Sequence, residues 1–213
     1  MNRAAWQVQS LLLSYPDSEL LDRVPMLRAA VATLPGPLGG PLGAFLDHAA
    51  TTRLIDLQAD YVATFDHRKK FSPYLTYFAY GDTRKRGMAL LRFKHAYRAA
   101  GLDLTDSPDG GELPDHLSVV LEFAATGDAA AGLRLLTEHR AGLELMRLGL
   151  LEAGSPWAHV LESVSATLPP LGRHDREAVA RLAAEGPPEE EVGLAPFAPP
   201  EYLPGHASQG ASR

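Results

Sequence analysis

A helical period dominates the chain. Trp6, Gln7, Ser10, Leu11 and Tyr15 recur at helix spacing until Pro16 interrupts them. Asp17 or Ser18 can cap a second helix through Leu20, Leu21, Val24, Leu27 and Val31, with Pro25 tolerated in its first turns or as a kink. Residues 35–41, Pro-Gly-Pro-Leu-Gly-Gly-Pro, have the composition of a loop, and a short helix over 42–48 is expected after them. Leu54, Leu57, Tyr61, Val62 and Phe65 mark the apolar face of a further helix. Ser72-Pro73 has the form of a helix start, predicting a brief aromatic helix over 74–80 closed by Gly81. A long helix capped by Asp82 or Thr83 then runs to Gly101.

Residues 106–111 are turn-rich, and 114–125 are expected to be helical. A single helix is predicted over 129–153, where Leu145 and Leu148 widen the apolar stripe as in the most buried member of a bundle. Helices through Trp157, Val160, Leu161 and Val164 and, more weakly, over 174–184 complete the series. No stretch alternates with a period of two. The pattern predicts an all-α fold, with one helical domain over residues 1–185 and a Pro-rich, acidic, disordered tail over 186–213.

Composition narrows the chemistry. The 213 residues contain no cysteine, which removes disulfides, thiolate metal sites and cysteine nucleophiles and fits a reducing compartment. The start carries no apolar signal region and no segment is apolar for the roughly 20 residues a membrane span requires, so a soluble, cytoplasmic protein is expected. The formal charge is −6, but it is unevenly placed. Residues 67–98 hold nine Lys/Arg against one acid, a local charge of +8, leaving 11 Lys/Arg and 25 acids, −14, elsewhere. A basic face and an acidic face follow. The basic face is either a solvated helix surface or a phosphate contact, and the overall acidity argues against a general nucleic-acid binder.

Two groups of residues carry candidate chemistry. Glu112, Pro114, Asp115 and His116 read as a helix start with acids at its positive end, as acid/base groups or metal ligands of a small helical enzyme or metal-binding protein, or as groups that recognise a partner. The 14 Tyr and Phe residues place half their number within residues 61–80: Tyr61, Phe65, Phe71, Tyr74, Tyr77, Phe78 and Tyr80. They cannot all face one way, so they divide between core and the lining of a peptide groove. No phosphate-binding glycine loop, His-Glu-x-x-His or nucleophile-elbow motif is present.

Three blocks add a resemblance. Residues 57–66 (Leu-Gln-Ala-Asp-Tyr-Val-Ala-Thr-Phe-Asp), 80–89 (Tyr-Gly-Asp-Thr-Arg-Lys-Arg-Gly-Met-Ala) and 112–117 (Glu-Leu-Pro-Asp-His-Leu) follow in the order and spacing of the NarJ family, the molybdenum cofactor assembly chaperones of respiratory nitrate reductase. This family belongs to the wider TorD/DmsD group of redox-enzyme maturation chaperones. The likeness spans about residues 5–170. Leu113 stands where the wider group usually has proline, with Pro114 after it as in the nitrate reductase branch, which points away from readers of twin-arginine signal peptides.

The resemblance implies a TorD-like helical bundle without catalytic turnover. It implies a client, the catalytic alpha subunit of nitrate reductase, bound largely through its N-terminal segment while molybdenum cofactor is inserted and before membrane docking. No resident cofactor is expected, with room for transient contact with molybdenum cofactor; charge and the lack of an apolar span add the expectation of no nucleic-acid partner and no insertion into the membrane, and a monomer–dimer equilibrium is compatible with the sequence. The expected peptide-binding residues are Tyr61, Phe65, Tyr74, Tyr77, Tyr80, Glu112, Pro114, Asp115, His116 and Leu117.

Overall fold

Apolar residues three and four apart build eleven α-helices in the computed structural model, which describes residues 2–102 and 112–188. They are α1 (Arg3–Leu13), α2 (Ser18–Ala32), α3 (Gly36–Thr51), α4 (Leu54–Tyr61), α5 (Tyr77–Tyr80), α6 (Arg84–Ala99), α7 (Leu117–Thr126), α8 (Ala129–Glu138), α9 (Arg140–Glu152), α10 (Trp157–Thr167) and α11 (Arg173–Glu185). No strand occurs among the described residues, so the expected all-α class holds. The expectations for residues 106–111 and for the tail from 189 onward lie outside the described residues.

Helices α1 and α10 form the centre. α1 packs on α7, α10 and α2, and α10 packs on α3 and α9, so the α2–α3 pair covers one side and α7–α8 the other. Trp157 of α10 is fully enclosed among the rings of Phe45, Tyr61 and Phe65, each 5.5–5.7 Å away, and its indole N–H donates to the Leu12 carbonyl at 3.2 Å. Several buried polar groups nearby are paired across helices. Gln9 Nε2 donates to Ser163 Oγ at 2.8 Å, Ser163 Oγ donates to the Leu38 carbonyl at 2.9 Å, and Trp6 Nε1 donates to Thr167 Oγ1 at 3.0 Å.

The structure corrects four of the expected boundaries. The loop over 35–41 is the start of α3. Pro37 sits where a helix has unpaired N–H groups in any case, and Pro41 forfeits one bond that the packing of Leu38, Leu42, Phe45, Leu46 and Ala49 outweighs. The single helix over 129–153 breaks at His139, whose ring lies 5.5 Å from that of Phe93, so that α8 packs on α7 while α9 turns towards α10 and α11. Residues 112–116 are not helical: His116 is the N-cap of α7, and Ser118 N–H donates to its Nδ1 at 3.3 Å. Residues 72–74 are not helical, Tyr74 forming an isolated antiparallel bridge with His116; 75–76 make a turn, and only 77–80 are helical.

Candidate partner-binding cleft

The segment 72–76 joins two of the three sequence blocks. Leu75 N–H donates to the Asp115 carbonyl at 3.0 Å and Leu117 N–H to the Pro73 carbonyl at 2.9 Å. The Asp115 carboxylate is fully enclosed, with Oδ2 accepting from Thr76 N–H at 3.1 Å and from Thr76 Oγ1 at 2.5 Å. Arg86, from the second block, donates through Nε to Thr76 Oγ1 at 3.1 Å, places Nη2 3.8 Å from Asp115 Oδ2, and lies over the Tyr74 ring at 5.3 Å. The Tyr97 hydroxyl fastens the loop from the other side by donating to the Pro114 carbonyl at 2.5 Å. The result is a cross-braced corner.

Its electrostatics follow from burial. Tyr74 donates to Glu112 Oε2 at 3.1 Å, and its hydroxyl is pushed up to about 12, first by desolvation and then by the adjacent carboxylate. The Tyr61 hydroxyl is raised further for the same two reasons, and it donates to the Leu13 carbonyl at 3.1 Å. Burial lowers the His116 imidazole below the ordinary histidine range, against the upward pull of Glu112 and Asp115. Neutral His116 serves as a helix cap whose Nδ1 also engages Ser118 Oγ at 2.7 Å.

The expected peptide-binding residues fall into distinct surroundings. Tyr61 and Phe65 belong to the Trp157 core, and Pro114, Asp115, His116 and Leu117 are buried in the corner. Only Glu112 is exposed, with Tyr74 and Tyr80 half-buried. The corner therefore braces neighbouring surface and offers no open face for acid/base work at Asp115 or His116. Among the described residues, no group of three His, Asp or Glu side chains is placed to hold a metal ion. Three members of the basic set are ion-paired: Lys69 with Asp82 at 3.1 Å, Arg86 with Asp82 at 3.4 Å, and Arg92 with Glu138 at 2.8 Å.

The concave surface lies next to that corner. A cleft of about 520 Å³ runs between 69–78, α9 and α11, walled by Phe71, Tyr77, Phe78, Leu145, Leu148 and Leu182. A second hollow of about 280 Å³ continues it past Leu182 towards Leu75, His139 and Ala178. Volumes of several hundred Å³ with apolar walls and few polar groups are those of ligand sites. Two glycines of α9 shape the wall. A Cβ at Gly142 would come within 2.7 Å of the Phe78 ring, and one at Gly149 within 2.8 Å of the Phe71 ring, so both phenylalanines seat directly on the helix backbone.

Of the expected site residues only Tyr77 lines this cleft. Phe71 and Phe78, two of the aromatics expected to divide between core and groove, also line it, joined by Leu145, Leu148 and Leu182, for which the sequence predicts no lining role. The signal for two of them was present in the widened stripe of α9, but it marks exposure rather than deep burial: Leu148 and Leu151 are 42% and 51% exposed.

Comparisons with known proteins agree on one lineage. The chain matches the family described as "Nitrate reductase delta subunit" over residues 32–162. It is 40% identical to the nitrate reductase-like protein NarX of Mycobacterium tuberculosis over 76% of its own length, but spans only about a quarter (24%) of that protein. It is 32% identical to the probable nitrate reductase molybdenum cofactor assembly chaperone NarJ of Bacillus subtilis, covering 76% of this chain and 87% of the relative. The NarJ chaperone of Escherichia coli is 34% identical over 60% of this chain and 55% of its own. In structure, the chain resembles a putative redox enzyme maturation protein from Archaeoglobus fulgidus with a TM-score of 0.58 at 23% identity, covering 78% of this chain and 93% of the other, a likeness of fold.

Proposed function

The chain belongs to the nitrate reductase delta subunit family, and from that premise we propose that it is an assembly chaperone for the molybdenum-containing catalytic subunit of a nitrate reductase. It holds the apo-subunit, largely by that subunit's N-terminal segment, while molybdenum cofactor is inserted, and releases it before the enzyme docks at the membrane. It works in the cytoplasm and has no catalytic turnover of its own. Among the described residues, no helix is long and apolar enough to cross a membrane.

The observation that carries this reading is the apolar cleft between 69–78 and α9 in a chain whose relatives are named as assembly chaperones. An amphipathic client helix would seat its apolar face against Leu145 and Leu148, over the floor built by the buried Phe71, Tyr77 and Phe78, with Lys69, Lys70 and Glu152 on the rim. Tyr74, Tyr80 and Glu112 lie on the adjoining corner, where Asp115 and His116 fix the backbone that positions Tyr77 and Phe78. Release requires that the complex not be permanent, so a Kd near 1 μM, about −8 kcal/mol, is expected. Calorimetric titration of the full chain with a peptide of the catalytic subunit's first ~30 residues tests the proposal. One-to-one binding supports it, and absence of binding at about 100 μM peptide refutes it.

A further inference from the structure

We infer that α11 is a resident placeholder in the cleft: it covers the α9 surface on which the client helix seats, and the client displaces it. The inference rests on the proposed function and adds how the site is kept covered in the absence of a client.

Three features of the chain carry it. First, α11 is weakly seated. None of its residues is buried, and the helix it packs on is α9. On its inner face Leu182 is partly buried, flanked by the small Ala178, and hollows of about 280 and 520 Å³ remain between that face and Leu75, Phe78, Gly142 and Leu145. An interface with such voids forgoes the dispersion contacts that close packing provides. A 13-residue helix is also marginal on its own in water, so α11 persists through its docking and loses helicity once lifted.

Second, both ends of α11 are arranged as tethers. Pro169 and Pro170 end α10 and lead to Gly172, whose N–H donates to Asp175 Oδ2 at 2.8 Å as the new helix starts. At the far end, the Pro188 carbonyl oxygen lies 1.7 Å from where a Cβ of Gly81 would stand. Gly81 has φ +57°, so this glycine of the second sequence block permits both a left-handed turn and the close passage of the strap. The helix can lift while the chain remains anchored through α10.

Third, the apolar surface of α9 extends past what α11 covers. Leu148 lines the cleft at 42% exposure and Leu151 is 51% exposed. That uncovered stretch gives an incoming helix a first foothold, and larger apolar side chains at helical spacing would then fill the hollows that Ala178 and Leu182 leave. A helix already lies on this face, so the face accepts one.

Because the chain has no cysteine, a clean lock can be built. Ala141 of α9 and Ala178 of α11 line the same hollow. The full-length double variant Ala141→Cys/Ala178→Cys is joined by a short cleavable thiol-reactive linker, which avoids the strict geometry of a disulfide. Affinity for the ~30-residue client peptide is measured by calorimetry before and after cleavage. The inference expects at least about tenfold weaker binding in the locked form, restored on cleavage. Equal affinity in both forms overturns the placeholder and leaves the chaperone reading standing, whereas binding to neither overturns both. In the unmodified full chain, client peptide should speed amide hydrogen exchange across 173–185, and unchanged exchange there overturns the inference independently of the variant.

Discussion

The Asp115→Asn exchange separates a bracing role from a recognition role at the most conspicuous charged group of the corner. Asp115 is wholly enclosed; its Oδ2 holds Thr76 N–H and O–H at 3.1 and 2.5 Å and faces Arg86 Nη2 at 3.8 Å. Asparagine keeps the shape and one oxygen for Thr76 but removes the negative charge. A hydrogen bond to a charged group contributes about 1.5–3 kcal/mol, and loss of one partner of a buried ion pair costs about 3–5 kcal/mol. Arg86 is 18% exposed and keeps Asp82 at 3.4 Å, which lowers the cost, so about 2–3 kcal/mol is expected for asparagine. Asp115→Ala, which also strands both Thr76 donors, should lose about 3–5 kcal/mol. For a chain of this size each kcal/mol moves Tm by about 2–4 °C. Urea unfolding and calorimetry give the stability, and client-peptide titration well below Tm gives the affinity. The account expects the stability loss with affinity within about twofold of the parent. A loss under about 0.5 kcal/mol together with a tenfold weaker client would show that the carboxylate touches the client, and the bracing argument would fail.

Other consequences are equally direct. Gly87→Ala, in open space on α6, should stabilise by about 0.5–1 kcal/mol through helix propensity. Gly132→Ala should destabilise despite the same propensity gain, because its Cβ would stand 2.5 Å from Ala124 Cβ where α8 crosses α7; opposite shifts in urea midpoint check the pair. Tyr61→Phe removes the hydroxyl that donates to Leu13, costing about 0.5–1.5 kcal/mol by the same assay while leaving client affinity alone. His116 and His139 both have imidazoles lowered by burial, so the unfolded chain binds more protons once pH falls below the ordinary histidine value. Stability is therefore full above about pH 6.5 and declines below it, by at most about 1.4 kcal/mol per pH unit for each histidine. His116→Asn keeps a cap acceptor and should remove one histidine's share of that slope in pH-dependent urea titrations.

Helix-forming stretches were legible wherever one apolar face repeats, as at Leu20, Val24, Leu27 and Val31 of α2 or Val160, Leu161 and Val164 of α10. What escaped the pattern has local causes. Pro37 and Pro41 read as punctuation, yet a helix start needs few donors and the α3 face packs against α2 and α10. The break at His139 leaves no proline or glycine mark, because it is set by the partners each half packs against. Glu112 to His116 looked like a helix beginning, but Asp115 is drawn inward by Thr76 and Arg86, which lie far off in sequence.

The cleft was the least legible part. An aromatic seated on a glycine of α9, as Phe78 is on Gly142, and one buried around Trp157, as Phe65 is, have the same appearance in a one-dimensional pattern. Leu148 differs from a core leucine only in that no helix covers it fully. The resemblance carried by residues 57–66, 80–89 and 112–117 pointed to the right family, while those blocks mainly build the scaffold behind the cleft.

The most direct measurement is a hydrogen-exchange footprint of the full-length chain with and without the ~30-residue N-terminal peptide of the nitrate reductase catalytic subunit. The account predicts slower exchange at 71–80 and along 142–152, the two walls of the cleft, with little change around Tyr61 and Phe65. Protection confined to other surfaces, or none at peptide concentrations near 100 μM, would contradict it.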